Sequence, residues 1–291
     1  MGSAIATLVE ARKRDLGGFT VRRVLPAFPH RTVGPFIFFD HMGPVRFEAG
    51  NGVDVRPHPH IGLATVTYLF IGSLLHRDSL GVVQTIRPGD VNWMTAGRGV
   101  VHSERTPPDA RAVPHALHGI QTWIALPQSF EESEPSFHHH PGATLPVVRR
   151  DGATLHVIAG HAFDVYSPVR VYGDTLYVAI ELKSEASIVL PAEHAERAVY
   201  LVDGLAHIDG TALHPGTLAV LAPGETAVLR ALEPCRAMLL GGAHVDGERH
   251  IWWNFVSSRR ERIEQAKQDW AQDRFAKVPG EVERIPLPDA H

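Results

Sequence analysis

The hydrophobic positions of this chain form short runs and not the long stripes of amphipathic helices. Residues 34–40, 63–70 and 117–126 are rich in β-branched and aromatic side chains, and glycine or proline interrupts such runs throughout the chain. Short apolar runs separated by turn residues are typical of strands in a β-sandwich or barrel. Arg87-Pro88-Gly89-Asp90 predicts a tight turn between two of these strands. The pattern therefore predicts an all-β fold.

This rhythm breaks between residues 128 and 146. The stretch contains four Pro or Gly residues, three acidic residues and His138-His139-His140. We interpret it as a surface segment that links two halves of the chain. The triple histidine is read as a solvated loop, with adventitious metal binding as the alternative. Strand-like runs then resume and continue to residue 240.

The two halves show a similar order of elements, because residues 213–221 repeat the Pro-Gly turn and apolar run of residues 87–94. This predicts a duplicated barrel. The predicted domains are an N-terminal barrel with a metal site over 1–130, a linker over 131–147, a second barrel over 148–256, and a C-terminal helix and tail over 257–291. The second half contains no H-x-H pair, so we expect it to be metal-free.

Helical character is predicted only near the C-terminus. Ser258-Arg259-Arg260-Glu261 has the form of a capping box, and Ile263, Ala266 and Trp270 follow at helical spacing. Pro279-Gly280 is expected to end the helix. The apolar stripe predicts packing over a barrel, which is a structural role.

Composition limits the classes of function. Hydrophobic residues make up 44% and charged residues 21% of the chain, and the formal net charge is −4, so nothing indicates nucleic acid as the main ligand. Cys235 is the single cysteine, which is typical of a reducing compartment. We find neither a signal peptide at the N-terminus nor an apolar stretch of membrane-spanning length. We therefore expect a cytoplasmic protein with no membrane partner.

Two residue pairs carry the chemistry. His58 and His60 stand in Arg56-Pro57-His58-Pro59-His60, and His102 and Glu104 follow Gly99-Val100-Val101. Residues two apart on a strand share one face, so two adjacent strands would present three imidazoles and a carboxylate to one point. Such a set suits iron, nickel, copper, manganese or zinc and leaves an octahedral ion two open positions. Because the chain contains 19 histidines, a single H-x-H pair could arise by chance, but two strand-spaced pairs favour a metal site.

Several sequence blocks together resemble the pirin family of the cupin superfamily. They are residues 33–44, 56–68, 76–81, 90–104 and 252–258. The resemblance implies a bicupin, with two stacked antiparallel β-barrels of jelly-roll type and one metal ion in the N-terminal barrel. Carried over by position, the ligands are His58, His60, His102 and Glu104, with Fe²⁺ as the first choice of metal. One departure is Ile71, where an acidic residue is expected; we place it at a strand end.

Resemblance to pirins and to cupin quercetinases implies a dioxygenase that cleaves flavonols such as quercetin with O₂. Glu104 would act as ligand and general base, or would only fix charge and geometry. The alternative function is an iron-dependent redox sensor that binds a transcription factor or a metabolic enzyme.

Further candidates lie near the motifs. Asp40 and His41 would orient a ligand imidazole or serve the buried structure, and Arg98 would serve a turn or steer an anion. A last group would line an aromatic-substrate pocket or form barrel core: Phe36, Phe38, Trp93, Met94 and Trp123.

Overall fold

A computed structural model describes residues 4–15 and 19–288, and it confirms the predicted all-β chain with a C-terminal helix. The strands up to residue 140 are β1 Ile5–Glu10, β2 Arg12–Asp15, β3 Thr20–Leu25, β4 Phe36–Phe47, β5 Asp54–His60, β6 Leu63–Ile71, β7 Leu74–Asp78, β8 Val83–Ile86, β9 Val91–Thr95, β10 Val100–Arg105, β11 His115–Ala125 and β12 Ser136–His140. They are followed by β13 Val147–Arg150, β14 Ala153–Ala162, β15 Val165–Tyr166, β16 Thr175–Leu182, β17 Ser187–Leu190, β18 Glu196–Asp203, β19 Ala206–Ile208, β20 Thr211–Leu213, β21 Thr217–Leu221, β22 Ala227–Ala231, β23 Cys235–Gly242, β24 His250–Trp252 and β25 Phe255–Ser257. The helices are α1 Pro108–Arg111 and α2 Arg260–Ala271, with 3₁₀ turns at Gln128–Phe130 and Gly142–Thr144.

The strands form two pairs of open sheets, which confirms the jelly-roll type of fold that was expected. One pair consists of a sheet in the order β12-β9-β6-β11-β4-β3-β2 and a four-stranded sheet in the order β5-β10-β7-β8. The other pair consists of a sheet in the order β1-β21-β18-β23-β16-β14-β13, with β15 beside β14, and a four-stranded sheet in the order β17-β22-β19-β20. Two layers with apolar inner faces bury one core without having to close.

The described residues fall into two compact units. We call the first the C-terminal unit; it contains residues 4–14, 22–41 and 143–245. The second, the N-terminal unit, contains residues 15, 19–21, 42–142 and 246–288. Each unit joins segments that are far apart in the chain, whereas the predicted domains are continuous stretches. The domain boundaries at 130, 147 and 256 stay a prediction.

The core of the C-terminal unit lies between its two sheets. Its buried cluster draws apolar side chains from β14, β16, β18 and β23 on one side and from β17, β19 and β22 on the other, among them Leu155, Val178, Ile188 and Leu229. Alternate residues of these strands point inwards. The N-terminal unit has a smaller apolar cluster that includes Phe47, Leu69 and Leu117.

In each unit the repeated Pro-Gly turn leads into the strand next to one edge of the larger sheet. Gly89 precedes β9 with φ +84°, and Gly216 precedes β21 with φ +97°. Left-handed backbone of this kind favours glycine because a side chain would clash with the following peptide. The two turns explain the similarity between residues 87–94 and 213–221.

The stretch predicted as a linker is more ordered than a loop. Ser136–His140 forms the edge strand β12, which pairs antiparallel with β9. His139 donates from Nδ1 to Asn92 Oδ1 at 2.8 Å, so the triple histidine is part of a sheet edge and not a solvated loop. Successive side chains of a strand point to opposite faces, so Phe137 lies on the other face of β12 from Ser136 and His138. This position matters for the candidate site described below.

Helix α2 is present, but both predicted ends are wrong. It begins after Arg259, and no side chain caps it, because the Ser258 hydroxyl and backbone N–H both donate to Glu131 at 2.8 Å. It ends at Ala271, eight residues before Pro279. Ile263, Ala266 and Trp270 are buried against Phe255 and Val101, which confirms the predicted packing.

Among the described residues, no helix is long and apolar enough to cross a membrane.

Candidate metal centre

The two histidine pairs lie on neighbouring antiparallel strands. β5 and β10 pair so that His58 is opposite His102 and His60 is opposite Val100. Since alternate residues share a face, all three imidazoles project from one side of the sheet. One ring nitrogen of each lies within 4.8 Å of the other two, and all three side chains are buried. The structure thus brings three of the four predicted ligands to one point.

Glu104 lies beside this group with its carboxylate held by other residues. The pairing of β5 with β10 shifts between His102 and Glu104, so the strict alternation of the strand is interrupted there. Gln121 Nε2 donates to the two carboxylate oxygens at 2.8 and 2.7 Å, and the Thr67 hydroxyl donates at 3.4 Å. The ligand role of Glu104 stays a prediction.

The outer ring nitrogens show which atoms are free for an ion. His58 Nδ1 donates to the carbonyl of Arg56 at 2.9 Å, which fixes the tautomer with a lone pair on Nε2. His60 Nε2 and His102 Nε2 approach each other to 3.1 Å in a buried space. Either one of these two nitrogens carries a proton that bonds to the other, or a cation lies between them. The donor set therefore fits a divalent transition metal ion.

A third pair on the next strand orients His102. β7 pairs with the other edge of β10, with Asp78 opposite His102 and His76 opposite Glu104. His76 Nε2 lies 2.9 Å from Asp78 Oδ2, and His76 Nδ1 lies 3.4 Å from His102 Nδ1. Because a carboxylate only accepts, His76 carries its proton on Nε2 and accepts from His102 Nδ1. His102 is then left with its lone pair on Nε2, facing His60.

His76 and Asp78 were missed as site residues in the sequence analysis. The signal was available, since they repeat the i, i+2 spacing of the other two pairs. What the sequence did not show is that β7 follows β10 in the sheet and that β10 therefore has a polar pair on each side.

The opposing sheet of the N-terminal unit covers the site. Gln121 and Trp123 come from β11; the Trp123 ring meets His60 edge-on at 5.2 Å. Phe137 of β12 stacks on His76 at 4.3 Å. Aromatic rings at these positions exclude water and hold the imidazoles in place. The stretch expected to be a linker therefore contributes a wall of the site.

Burial keeps the imidazoles neutral. Desolvation lowers the pKa of His60 and His102 well below 6.5, and the nearby imidazoles lower it further. Burial also lowers the pKa of His58, while the Arg56 carbonyl and the Glu104 carboxylate act in the opposite direction. Neutral imidazole is the form that binds a metal.

The remaining candidates have structural partners. Arg23 forms a two-point ion pair with Asp40, with both contacts at 2.8 Å, and Tyr200 lies 2.9 Å from His41 Nδ1. These contacts support the buried-structural alternative for Asp40 and His41. Arg98 is exposed and pairs with Glu134.

The aromatic candidates and Ile71 fit the sequence expectations in part. Ile71 is the last residue of β6, as expected. Trp123 contacts the predicted ligand His60. The aromatic and apolar candidates are all buried: Phe36, Phe38, Trp93, Met94 and Trp123.

Comparison with known proteins assigns the family. Residues 18–124 match the Pirin family model, and residues 177–276 match that of the Pirin C-terminal cupin domain. A pirin-like protein of Caulobacter vibrioides is 51% identical over 290 residues, covering 98% of this chain and 100% of that protein. The chain belongs to the pirin family.

Solved structures of other bacterial proteins share the architecture. A quercetin 2,3-dioxygenase from Acinetobacter baumannii has a TM-score of 0.92 and 35% identity, covering 98% of this chain and 95% of that one. The bacterial pirin YhhW from Escherichia coli, in complex with nickel(II), has a TM-score of 0.64 and 20% identity, covering 82% and 99%, which shows the fold alone. These matches confirm the predicted bicupin.

In this pirin, we expect His102→Ala to bind one equivalent of Ni²⁺ fewer than the unchanged protein. The substitution removes a ligand nitrogen from the buried group. Equilibrium dialysis followed by elemental analysis measures the bound metal. His138→Ala, which removes an exposed histidine of β12, is the matched control and should retain the full amount. Full Ni²⁺ binding by His102→Ala would contradict the site.

His76→Phe should weaken metal binding without emptying the space, because phenylalanine keeps the stacking on Phe137 and loses both hydrogen bonds. Loss of a residue that orients a ligand histidine typically lowers metal affinity about 10- to 100-fold. Calorimetric titration with Ni²⁺ measures this change. The control is His115→Phe, at another histidine stacked on a phenylalanine, Phe47. Equal affinity in both variants would remove His76 from the site.

The stability of the metal-free pirin should depend on pH in a defined direction. Below about pH 6.5 the unfolded chain protonates its histidines, whereas burial keeps His60 and His102 neutral in the folded chain. The free energy of unfolding should thus be level above that pH and fall as the pH drops below it. Urea unfolding at several pH values measures the slope. The double variant His60→Gln/His102→Gln should show a shallower slope of the free energy of unfolding against pH. An unchanged slope would count against buried neutral imidazoles.

Proposed function

We propose that this pirin is a metal-dependent dioxygenase that cleaves flavonols such as quercetin with O₂. The observation that supports it best is the meeting of three buried, neutral imidazoles beside the carboxylate of Glu104. The similarity to a solved quercetin 2,3-dioxygenase supports the same activity.

We propose Fe²⁺ as the resident ion, with nickel, copper, manganese and zinc as alternatives that the same ligands accept. His58, His60 and His102 would hold it, and Glu104 would complete the set. When bound, the ion supplies a Lewis-acidic centre with open positions for a substrate oxygen and for O₂. The location proposed is the cytoplasm, as expected from the single cysteine and from the lack of a signal peptide or membrane-spanning stretch in the sequence.

Glu104 is proposed to accept the proton of the substrate hydroxyl. A carboxylate has about four acceptor positions, so the bond from Gln121 Nε2 to its two oxygens leaves capacity for a further proton or a metal. The Gln121 amide, together with the Thr67 hydroxyl, also fixes where the carboxylate lies. General-base catalysis typically contributes about 10²- to 10⁴-fold to the rate.

The test is O₂ uptake by the iron-loaded protein with quercetin, compared with Glu104→Gln and with free iron. We expect uptake by the unchanged protein and at least about a 100-fold loss in the variant, since the amide cannot accept the proton. Glu134→Gln, which changes an exposed carboxylate paired with Arg98, should be fully active. Iron analysis of Glu104→Gln separates its two roles: a full iron site with no uptake indicates the base, and lost iron indicates the ligand.

Absence of uptake by the unchanged protein with a full iron site would contradict the dioxygenase. It would favour the alternative of an iron-dependent redox sensor that binds a transcription factor or a metabolic enzyme.

A further inference from the structure

The C-terminal unit brings together a second group of side chains of the kinds that bind metals, although its sequence has no H-x-H pair. His161, Glu193 and His194 each place one ligand atom within 4.8 Å of the others. Asp174 joins them, with Oδ1 lying 3.0 Å from His194 Nδ1 and 3.9 Å from His161 Nδ1. We call these four residues the C-terminal histidine cluster. His161 lies near the end of β14, Asp174 lies just before β16, and the other two lie between β17 and β18.

The hydrogen bonds of His194 determine which of its nitrogens faces the cluster. Its Nε2 lies 3.1 Å from the backbone carbonyl of His161, and a carbonyl oxygen can only accept, so Nε2 carries the proton. Histidines that bind metals commonly donate their second N–H to a carbonyl in this way. His194 Nδ1 is thereby directed at Asp174, at 3.0 and 3.1 Å from the two carboxylate oxygens.

This arrangement requires a cation. A neutral His194 would place the Nδ1 lone pair against a carboxylate, and the side chain is 1% exposed, so water does not relieve the repulsion. Either a proton or a metal ion must lie between the two groups. A proton uses only His194 and Asp174, whereas His161 and the exposed Glu193 also each place a ligand atom within 4.8 Å of one in His194.

The geometry suits an ion with several ligands. Ligand atoms about 2.1 Å from one ion lie about 3 to 3.4 Å apart, near the His194–Asp174 distance and within a small side-chain movement of the others. His161 stacks on Tyr166 at 5.2 Å, which orients its ring. Its side chain and that of Asp174 are each about one-third exposed, so an ion can enter from solvent.

We propose that the C-terminal histidine cluster is a second metal site that takes a borderline divalent ion such as Zn²⁺. Two imidazoles and two carboxylates neutralise the charge of such an ion and match its preferred donor atoms. The site differs from the expectation of a metal-free second half, which was based on motif spacing. A bound ion would connect three segments that are separate in the chain. The proposal does not depend on the dioxygenase activity.

The test counts Zn²⁺ bound at equilibrium by elemental analysis after dialysis at pH 7.5. The unchanged protein should bind two equivalents, His102→Ala one, His161→Gln one, and the double variant none. His161 is chosen because it is partly exposed, so its replacement leaves the core intact. The matched control is His214→Gln, at an exposed histidine of the same unit, which should bind two equivalents. Circular dichroism confirms that each variant is folded.

Two results would overturn the proposal. A single equivalent in the unchanged protein, lost in His102→Ala, would show that a proton and not a metal ion lies between His194 and Asp174. A second equivalent that survives His161→Gln would place the ion elsewhere, with the triple histidine of β12 as the next candidate. Neither result bears on the O₂-uptake experiment, which uses the N-terminal unit.

Discussion

Three imidazoles buried next to one another are the constraint on which the candidate site depends. Protonated rings at this spacing would repel in a medium that screens charge poorly, and burial lowers the pKa of each. Each neutral ring has one N–H and one lone pair. The Arg56 carbonyl takes the N–H of His58, and His76, backed by Asp78, takes that of His102. The lone pair of His102 Nε2 then points to His60 Nε2, 3.1 Å away in a buried space, which is where a cation can be held.

The sheet register maintains this arrangement. Three i, i+2 pairs lie on the adjacent strands β5, β10 and β7, and the pairing of these strands brings their polar members together. A slip of one residue would turn a pair to the other face of the sheet. The opposing sheet then adds groups that no spacing rule connects to the ligands. Gln121 holds the Glu104 carboxylate, and Trp123 and Phe137 close around the imidazoles.

The C-terminal unit uses the same plan of two sheets for a different purpose. Its inner cluster is apolar from end to end, with buried leucine, valine and isoleucine from both sheets. Packing apolar side chains between the sheets stabilises the fold without any cofactor. Its own polar group, around His194, lies where strands β14, β16 and β18 begin or end. The N-terminal unit therefore has polar side chains between its sheets, whereas the polar cluster of the C-terminal unit lies at the ends of its strands.

Local pattern by itself determined the strand-rich character of the chain, the Pro-Gly turns, the buried stripe of α2 and the three histidines that meet in the candidate metal centre. Periodicity and spacing are properties of neighbouring residues, and backbone geometry converts them directly into shared faces. Tertiary structure decided the rest: that β7 lies beside β10 and adds His76, that Gln121 meets Glu104, and that His161 meets His194. These pairs are 17 to 33 residues apart and are joined by sheet order and loop closure. It also moved the start of α2, because Ser258 donates to the distant Glu131 and so does not cap the helix.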